Sequence, residues 1–287
     1  MFHVGAHKTG TTLVQQCLKA HARVLYRRHR VRYVPRPELV PLLGWGERLT
    51  TDPDGFQALL AEFAADRRAR VLLASYDNVC GHPFVTARPG LYPDAPAQLN
   101  ALRAQLAGLD TTILLSLRPQ HELVESYYLQ HVNLGGATPF AEWLQRIDLA
   151  ALSWQPLVSS LRATFGPEAV RLIDFRRLKD GAEPFVRHVL AEAGVAADLR
   201  IDPRWFAPHN PSLSAPGLEL ALELNRRFRA PRERAVVRSY LQRHYSNATR
   251  PERPVLLPTA LRAELADRYG AEYENLFGAP SRPRQPA

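Results

Sequence analysis

The sequence predicts an α/β protein in which a parallel sheet is covered by helices on both faces. Short apolar runs typical of buried strands alternate along the chain with longer segments that have the 3.6-residue apolar period of helices. This alternation predicts parallel strands joined by helical crossovers in three layers. A glycine-containing loop follows the first apolar run, and open α/β sheets bind ligands at such strand ends.

The predicted strands are short, and each is followed by a turn or a helix. Strands are predicted at 2–4, 31–34, 70–75, 111–117 and 169–175. Helices are predicted after residue 10, at 55–68, 95–106, 139–147, 154–165 and 183–193, and over much of 216–277. The segment from Pro35 and residues 80–96 are predicted loops, and 279–287 is a predicted disordered tail. We therefore expect one domain over 1–278.

The loop before the first predicted helix combines the groups that bind an oxyanion. Residues 3–15 read His-Val-Gly-Ala-His-Lys-Thr-Gly-Thr-Thr-Leu-Val-Gln. Glycines allow backbone N–H groups to turn inward, and a helix start adds positive potential. A lysine and three hydroxyls stand at the same place, which predicts binding of phosphate or sulfate. These residues are Lys8, Thr9, Thr11 and Thr12, together with Gly10. The alternative interpretation is an ordinary turn with a solvated lysine.

The spacing of this loop differs from that of nucleotide-hydrolysing P-loops. Those loops place the lysine directly after the last glycine. Here Lys8 stands two residues before Gly10. A strand that ends in an acidic residue able to hold Mg²⁺ is also hard to find. A kinase or nucleotide hydrolase with an atypical loop is therefore an alternative hypothesis.

A second candidate anion site follows the strand predicted at 111–117. Arg118 ends that strand, because a residue before proline is pushed towards extended geometry. Pro119 suits the first helical position, and Ser126 then lies two turns into the helix. Both candidate sites fall at carboxyl ends of predicted strands, where such sheets bind ligands. The alternative interpretation is that Arg118 and Ser126 have structural roles.

Residues 8–12, followed by Arg118 at a strand end and Ser126 eight residues on, resemble sulfotransferases that use 3′-phosphoadenylyl sulfate. A weaker likeness over most of the chain is to bacterial enzymes of the saccharide-modifying type. The resemblance implies a single α/β domain related to the P-loop kinases. It also implies that residues 8–12 bind the 5′-phosphosulfate, and that Arg118 and Ser126 bind the 3′-phosphate. The family often has Asp or Asn between the arginine and the proline, whereas Pro119 follows Arg118 directly.

Sulfuryl transfer to a hydroxyl needs a base that takes the hydroxyl proton. Asp77 stands just past the strand at 70–75, where the resembling enzymes often have glutamate. The alternative role of Asp77 is to form the turn after the strand. His7 is the second candidate base and His82 is the third. Lys8 is expected to stabilise the sulfuryl oxygens and the leaving phosphate, which already carries its charge, so no metal is required.

Composition limits the possible partners. The chain has 287 residues and a net charge of +9, which suits an anionic donor. No recognised nucleic-acid motif is present, so we expect no nucleic-acid partner. Cys17 and Cys80 give no disulfide framework, and the histidines lack metal-ligand spacing. No apolar run of 18 residues occurs, and the first strand begins at residue 2, so we expect a cytoplasmic protein without a membrane span.

The sequence thus predicts a bacterial sulfotransferase that releases adenosine 3′,5′-bisphosphate. The expected acceptor is a hydroxyl of a saccharide or another metabolite, recognised by loops at 36–54 and 80–96. A kinase with an atypical loop and a non-catalytic relative that binds glycan or nucleic acid are the alternatives. Intact Lys8, Arg118 and Ser126 favour an enzyme over a non-catalytic relative. The oligomeric state is left open.

Overall fold

The computed structural model describes residues 1–43, 52–85, 88–195, 199–206 and 211–277. The strands in these residues are β1 (Phe2–His3), β2 (Val31–Val34), β3 (Val71–Ser75), β4 (Ile113–Leu117) and β5 (Val170–Asp174). They form one sheet in the order β2-β3-β1-β4-β5, and every neighbouring pair is parallel. Because β1 is central, the loop after it lies between the ends of β3 and β4.

Helices connect the strands and continue beyond the sheet. Those that connect strands are α1 (Thr11–His29), α2 (Arg36–Leu43), α3 (Pro53–Ala65), α4 (Ala95–Gln105), α5 (Gln120–Asn133), α6 (Phe140–Leu144) and α7 (Gln155–Phe165). Those after the last strand are α8 (Ala182–Glu192), α9 (Ala215–Arg227), α10 (Pro231–His244) and α11 (Thr259–Phe277). Short 3₁₀ turns occur at Leu149–Ala151, Pro167–Ala169, Phe175–Asp180 and Pro203–Phe206. The predicted helical C-terminal part is confirmed.

Alternate residues of the strands face two separate hydrophobic clusters. In β4, Ile113 and Leu115 belong to one cluster, and Leu114 belongs to the other. The first cluster contains side chains from α2, α3, α4, α5 and α7, and the second contains side chains from α1 and α8. Cys17 packs in the second cluster as a small core residue. The predicted α/β class, with helices on both faces of a parallel sheet, is confirmed.

Two local predictions are wrong at prolines. The segment from Pro35 is predicted to be a loop, but Arg36–Leu43 form α2. Pro37 lies in the first turn, where a helix does not use the N–H, and the buried side chains of this helix outweigh Pro41 inside it. Pro119 is the N-cap of α5 and not its first helical residue, because its ψ of 136° is extended.

Two further sequence predictions concern the ends of the chain and membranes. The predicted disordered tail at 279–287 lies outside the described residues, and the single domain over 1–278 stays a prediction. None of the helices in the described ranges has both the length and the apolar character needed to cross a lipid bilayer.

A buried histidine links three neighbouring strands beneath the first loop. His3 is 1% exposed, with its Nδ1 3.0 Å from Ser75 Oγ on β3 and its Nε2 3.1 Å from Ser116 Oγ on β4. Burial lowers the pKa of His3 to about 4, and attraction to Asp77 opposes this shift. A Cβ on Gly5 would lie only 3.3 Å from His3 Nε2, so this neutral imidazole is a floor for the loop.

We expect His3 to make the fold less stable in mild acid. An unfolded histidine has a pKa of about 6.5, so between pH 6.5 and 4 the unfolded chain binds a proton that the folded chain excludes. The free energy of unfolding therefore falls as the pH is lowered through this range. His3→Gln removes this dependence, so its loss of stability relative to the unsubstituted protein should be larger at pH 7.5 than at pH 5.

Urea unfolding at the two pH values measures this difference. His244→Gln is the control, because His244 is exposed and its replacement should change stability little. A loss of stability in His3→Gln that is equal at both pH values would contradict the prediction.

Candidate functional site

The loop between β1 and α1 directs backbone N–H groups towards the carboxyl edge of the sheet. Lys8 and Gly10 both have left-handed backbone conformations, with φ of 65° and 79°. Such residues in a turn form a concave row of N–H groups that favours anions. Val14 N donates to Gly10 O at 3.2 Å, so the N–H groups ahead of it have no carbonyl partner within the helix. The left-handed Lys8 is uncommon for a residue with a side chain and is typical of functional loops.

The three threonines of the loop have different surroundings. Thr9 is fully buried, and its hydroxyl donates to Ala6 O at 2.5 Å, so this side chain holds the loop together. Thr11 Oγ1 is buried and has no hydrogen-bond partner among the described residues. Thr12 is partly exposed at the first turn of α1. Thr11 therefore has an unused hydroxyl at the helix start, whereas the hydroxyl of Thr9 is already donated.

Lys8 and Arg118 bring two desolvated cations together. Arg118 Nη1 donates to the carbonyl oxygen of Lys8 at 2.8 Å. Burial and then repulsion by Arg118 lower the pKa of Lys8 to about 8, and attraction to Asp77 opposes them. Within the described ranges, no carboxylate oxygen forms an ion pair with Lys8 Nζ. Glu122 pairs with Arg118, whereas the desolvated Lys8 ammonium has no paired carboxylate in the described residues, so this geometry favours an anionic ligand at Lys8.

Arg118 is fixed in place by side chains from two directions. Its Nη2 donates to Glu122 Oε2 at 3.2 Å, and its Cζ lies 4.7 Å from the centre of the Phe175 ring. Trp154 Nε1 donates to Arg118 O at 3.0 Å, which holds the backbone. Arg118 Nε is buried and has no partner in the described part of the chain. Burial lowers the pKa of Arg118, and Glu122 raises it. The guanidinium is therefore oriented but retains an unused donor.

Glu122 and Lys179 extend this group of charges, and sequence reasoning missed both. Glu122 Oε1 accepts a hydrogen bond from Lys179 Nζ at 3.0 Å. The i,i+4 spacing of Arg118 and Glu122 was a signal that could have identified Glu122. Lys179 follows β5 in a 3₁₀ turn, and no periodic pattern connects it with Arg118.

Ser126 lies one helical turn beyond Glu122 on α5 and is partly exposed. Residues four apart share a helix face, so Ser126 lies on the same face of α5 as Glu122, which pairs with Arg118. The described residues include no hydrogen-bond partner for its hydroxyl. The role of Ser126 at the second anion site stays a prediction.

Asp77 lies beside Lys8 and His7, at the end of β3. Its charge raises the pKa of Lys8, His7 and His3, which places the carboxylate near all three. Asp77 Oδ1 is 3.8 Å from Arg36 Nε and accepts no hydrogen bond among the described residues. The side chain is 23% exposed, so it is open to solvent while close to the loop. Asp77 therefore offers a partly exposed carboxylate close to Lys8, and its role as the base stays a prediction.

His7 is braced inside the protein. It is 6% exposed, its backbone N donates to the Tyr92 hydroxyl oxygen at 2.7 Å, and its Nδ1 is 3.1 Å from the same oxygen. Burial lowers the pKa of His7 to about 4, against the effects of Asp77 and of a hydrogen bond with the Asn78 side chain. His7 is neutral at neutral pH and is engaged by two side chains. These contacts favour a role for His7 in holding the loop in place over a role as the base.

A group of rings lies over His7, and it joins the predicted His82 to Tyr127 and Phe84, which sequence reasoning missed. The rings of His82 and Tyr127 are 6.0 Å and 5.9 Å from the His7 ring, and His82 Nδ1 is 3.4 Å from the Tyr127 hydroxyl. The Phe84 ring lies 5.2 Å from Tyr127. Residues 80–96 have no helical or strand period, so only the structure could join Phe84 and Tyr92 to the site. These rings form one wall beside Lys8 and Asp77.

The structure thus gathers most of the predicted residues. Lys8, Asp77, His7 and Arg118 are electrostatic neighbours, and His82 joins them through His7. Among the described residues, no group of three or more His, Cys, Asp or Glu side chains could hold a metal ion.

Sulfate binding should weaken as the pH rises through about 8. Lys8 attracts an anion only when protonated, and its pKa in the free protein is about 8. Sulfate keeps its charge in this range, so the change reports on the protein. Calorimetric titration with sulfate at pH 7 and pH 9.5 should show weaker binding at the higher pH, and Lys8→Ala should bind weakly at both. Equal affinity at the two pH values in the unsubstituted protein would exclude Lys8 as a ligand.

Comparisons with known proteins find likenesses among solved structures. No family model matches the chain, and no curated protein matches it. Among solved structures, the chain is similar to a sulfotransferase from Alicyclobacillus acidocaldarius, with a TM-score of 0.43 and 18% sequence identity. The match covers 87% of this chain and 97% of that chain. Few side chains are shared at this identity, so the roles of Lys8, Asp77 and Arg118 rest on the contacts described above.

Proposed function

We propose that this chain is a sulfotransferase that moves a sulfuryl group from 3′-phosphoadenylyl sulfate to a hydroxyl of a saccharide or another bacterial metabolite. The observation that supports it best is the Lys8–Arg118 pair. The Arg118 guanidinium donates to the backbone oxygen of Lys8 at 2.8 Å, its charge repels the Lys8 ammonium, and Lys8 forms no ion pair in the described ranges. A ligand with an anionic group for each cation would relieve their repulsion.

3′-Phosphoadenylyl sulfate has anionic groups on both sides of its ribose. The unpartnered hydrogen-bond donors of the site suit both groups. At the 5′ end, Lys8, the loop N–H groups and Thr11 Oγ1 are available to the phosphosulfate. At the 3′ end, the unpartnered Arg118 Nε is available to the phosphate, with Ser126 further along α5. Each cation therefore has a separate task, and Lys8 serves the end at which bonds change.

The reaction requires charge stabilisation, alignment and a base. The acceptor oxygen forms a bond to sulfur while the bond between sulfur and the 5′-phosphate oxygen breaks. Lys8 stabilises the charge on the sulfuryl oxygens and on the leaving phosphate. Asp77 accepts the acceptor proton, and the wall of Tyr127 and His82 holds the acceptor in line. The products are a sulfate ester and adenosine 3′,5′-bisphosphate, with the proton on Asp77.

The binding experiment is calorimetry with adenosine 3′,5′-bisphosphate in EDTA, which should show binding without Mg²⁺. Arg118→Ala should weaken this nucleotide about 10- to 150-fold, the value of one or more hydrogen bonds to a charged group. The same change should barely affect adenosine 5′-monophosphate, which has no 3′-phosphate. Ser126→Ala should lower the affinity for the bisphosphate selectively, but by a smaller factor. Lys8→Ala should lower the affinity for both nucleotides.

Arg103→Ala is the control, because Arg103 is an exposed arginine of α4. Equal losses for the two nucleotides in Arg118→Ala would show that this arginine is structural. Tight ATP binding that requires Mg²⁺, with no binding of the bisphosphate, would replace the sulfotransferase proposal with the kinase alternative.

Asp77→Asn should lower turnover about 10²-fold or more, because the amide cannot take the acceptor proton. The affinity for adenosine 3′,5′-bisphosphate should change little, since Asp77 does not contact the nucleotide in this proposal. Transfer from labelled donor to a panel of glycans, phenols and alcohols gives the turnover. Asp267→Asn is the matched control, because Asp267 is an exposed aspartate of α11. Near-normal turnover in Asp77→Asn would move the role to His7 or His82, and alanine variants of both would be measured next.

A further inference from the structure

A groove runs along α5 from the aromatic wall to α10. It has a volume of about 400 Å³. Its lining includes Tyr127, Gln130, His131, Leu134 and Arg234. Tyr127, Gln130 and His131 belong to α5 and Leu134 caps it, and their spacing of three, one and three positions puts them on one face of the helix. From Tyr127 to Leu134 the helix rises by roughly 10 Å, at about 1.5 Å per residue.

The near end of the groove is part of the candidate reaction site. Tyr127 lines the groove, and its ring also lies 5.9 Å from the His7 ring. The Tyr127 hydroxyl is 3.4 Å from His82 Nδ1. Tyr127 is therefore the side chain that the groove shares with the candidate reaction site.

The far end of the groove holds an arginine without an ion-pair partner. Arg234 forms no salt bridge within the described residues, whereas Arg227 on the preceding helix pairs with Glu223. Arg234 Nε is buried and makes no hydrogen bond to the described part of the chain. A planar guanidinium with free donors matches the geometry of a carboxylate. The groove therefore ends in a cation that is available to an anionic group.

Two glycines shape this end of the groove. Gly135 has φ of 104°, and a Cβ there would lie 2.7 Å from Arg234 Cδ. A Cβ on Gly136 would lie 2.2 Å from His131 Nε2. Asn225 Nδ2 donates to Gly136 O at 2.9 Å and so fixes the loop. The glycines allow Arg234 and His131 to pack against a backbone that is held in place.

We infer that this groove binds an acidic oligosaccharide acceptor, with Arg234 contacting a carboxylate roughly 10 Å from the aromatic wall. The inference rests on the proposed function and specifies its acceptor. Aromatic rings with amide and imidazole groups suit the faces and hydroxyls of sugars, and the length of the groove exceeds one sugar ring. The net charge of +9 also favours an acidic acceptor over a neutral one.

The probe is an unsulfated tetrasaccharide of alternating hexuronic acid and N-acetylhexosamine, compared with the same tetrasaccharide after its carboxyl groups are reduced. Binding is measured by calorimetry, with and without adenosine 3′,5′-bisphosphate. The acidic form should bind about 10-fold or more tightly than the reduced form, as expected for a hydrogen bond to a charged group. Arg234→Gln should remove this preference, and Arg234→Lys should retain part of it.

Arg238→Gln is the matched control, because Arg238 is an exposed arginine of the same helix and does not line the groove. Thermal unfolding of Arg234→Gln should match that of the control, which shows that the fold is intact. Equal binding of the two tetrasaccharides, or a preference that persists in Arg234→Gln, would overturn the inference.

The binding measurement separates this inference from the proposed function. Sulfuryl transfer that uses the acidic and reduced tetrasaccharides equally would leave the proposed function standing and overturn the acidic-acceptor inference. An Arg234-dependent preference in binding, with no transfer and no binding of adenosine 3′,5′-bisphosphate, would support the groove as an acidic-glycan site and refute the proposed function.

Discussion

The carbonyl oxygen of Lys8 accepts a hydrogen bond from the Arg118 guanidinium, and this contact brings two desolvated cations to the same edge of the sheet. Burial, and then repulsion by Arg118, lower the pKa of Lys8 to about 8. Glu122 pairs with Arg118, but no carboxylate in the described residues pairs with Lys8, so the surrounding structure must hold this arrangement. Arg118 is restrained by Glu122, by the Phe175 ring and through its backbone, and Lys8 is held in a left-handed loop conformation. The site is therefore organised before a ligand arrives, which reduces the entropy lost on binding.

The central position of β1 explains why the charges meet. Parallel pairing with β3 and β4 places the ends of three strands side by side, so Lys8, Asp77 and Arg118 follow neighbouring strands. The buried His3 bridge between Ser75 and Ser116 ties these strands together directly below the loop. Tyr127 contacts His7 at this edge and also lines the groove along α5. One sheet topology thus accounts for the closeness of the candidate anion site and the candidate base.

The sequence predicted those parts of the fold and site that depend on local apolar periods and on residues at strand ends. Apolar periods identified the strands, and strand ends identified Lys8, Asp77 and Arg118. Pro41 prevented the prediction of α2, because the helix around it forms through burial of its side chains and not through helix propensity. Tyr92 and Phe175 could not be assigned, since their contacts with His7 and Arg118 join residues far apart in the chain. Arg234 was hidden for the same reason, because its neighbour Gly135 belongs to another part of the sequence.

A crystal structure with adenosine 3′,5′-bisphosphate bound tests the central claim most directly. The account predicts the 5′-phosphate within hydrogen-bond distance of Lys8 Nζ and the N–H groups at the start of α1, and the 3′-phosphate on Arg118 Nε. With both phosphates in place, Lys8 and Arg118 each have a separate anionic partner. A nucleotide bound away from this edge, or with its 3′-phosphate remote from Arg118, would contradict the claim that the two cations exist to hold the two ends of one donor.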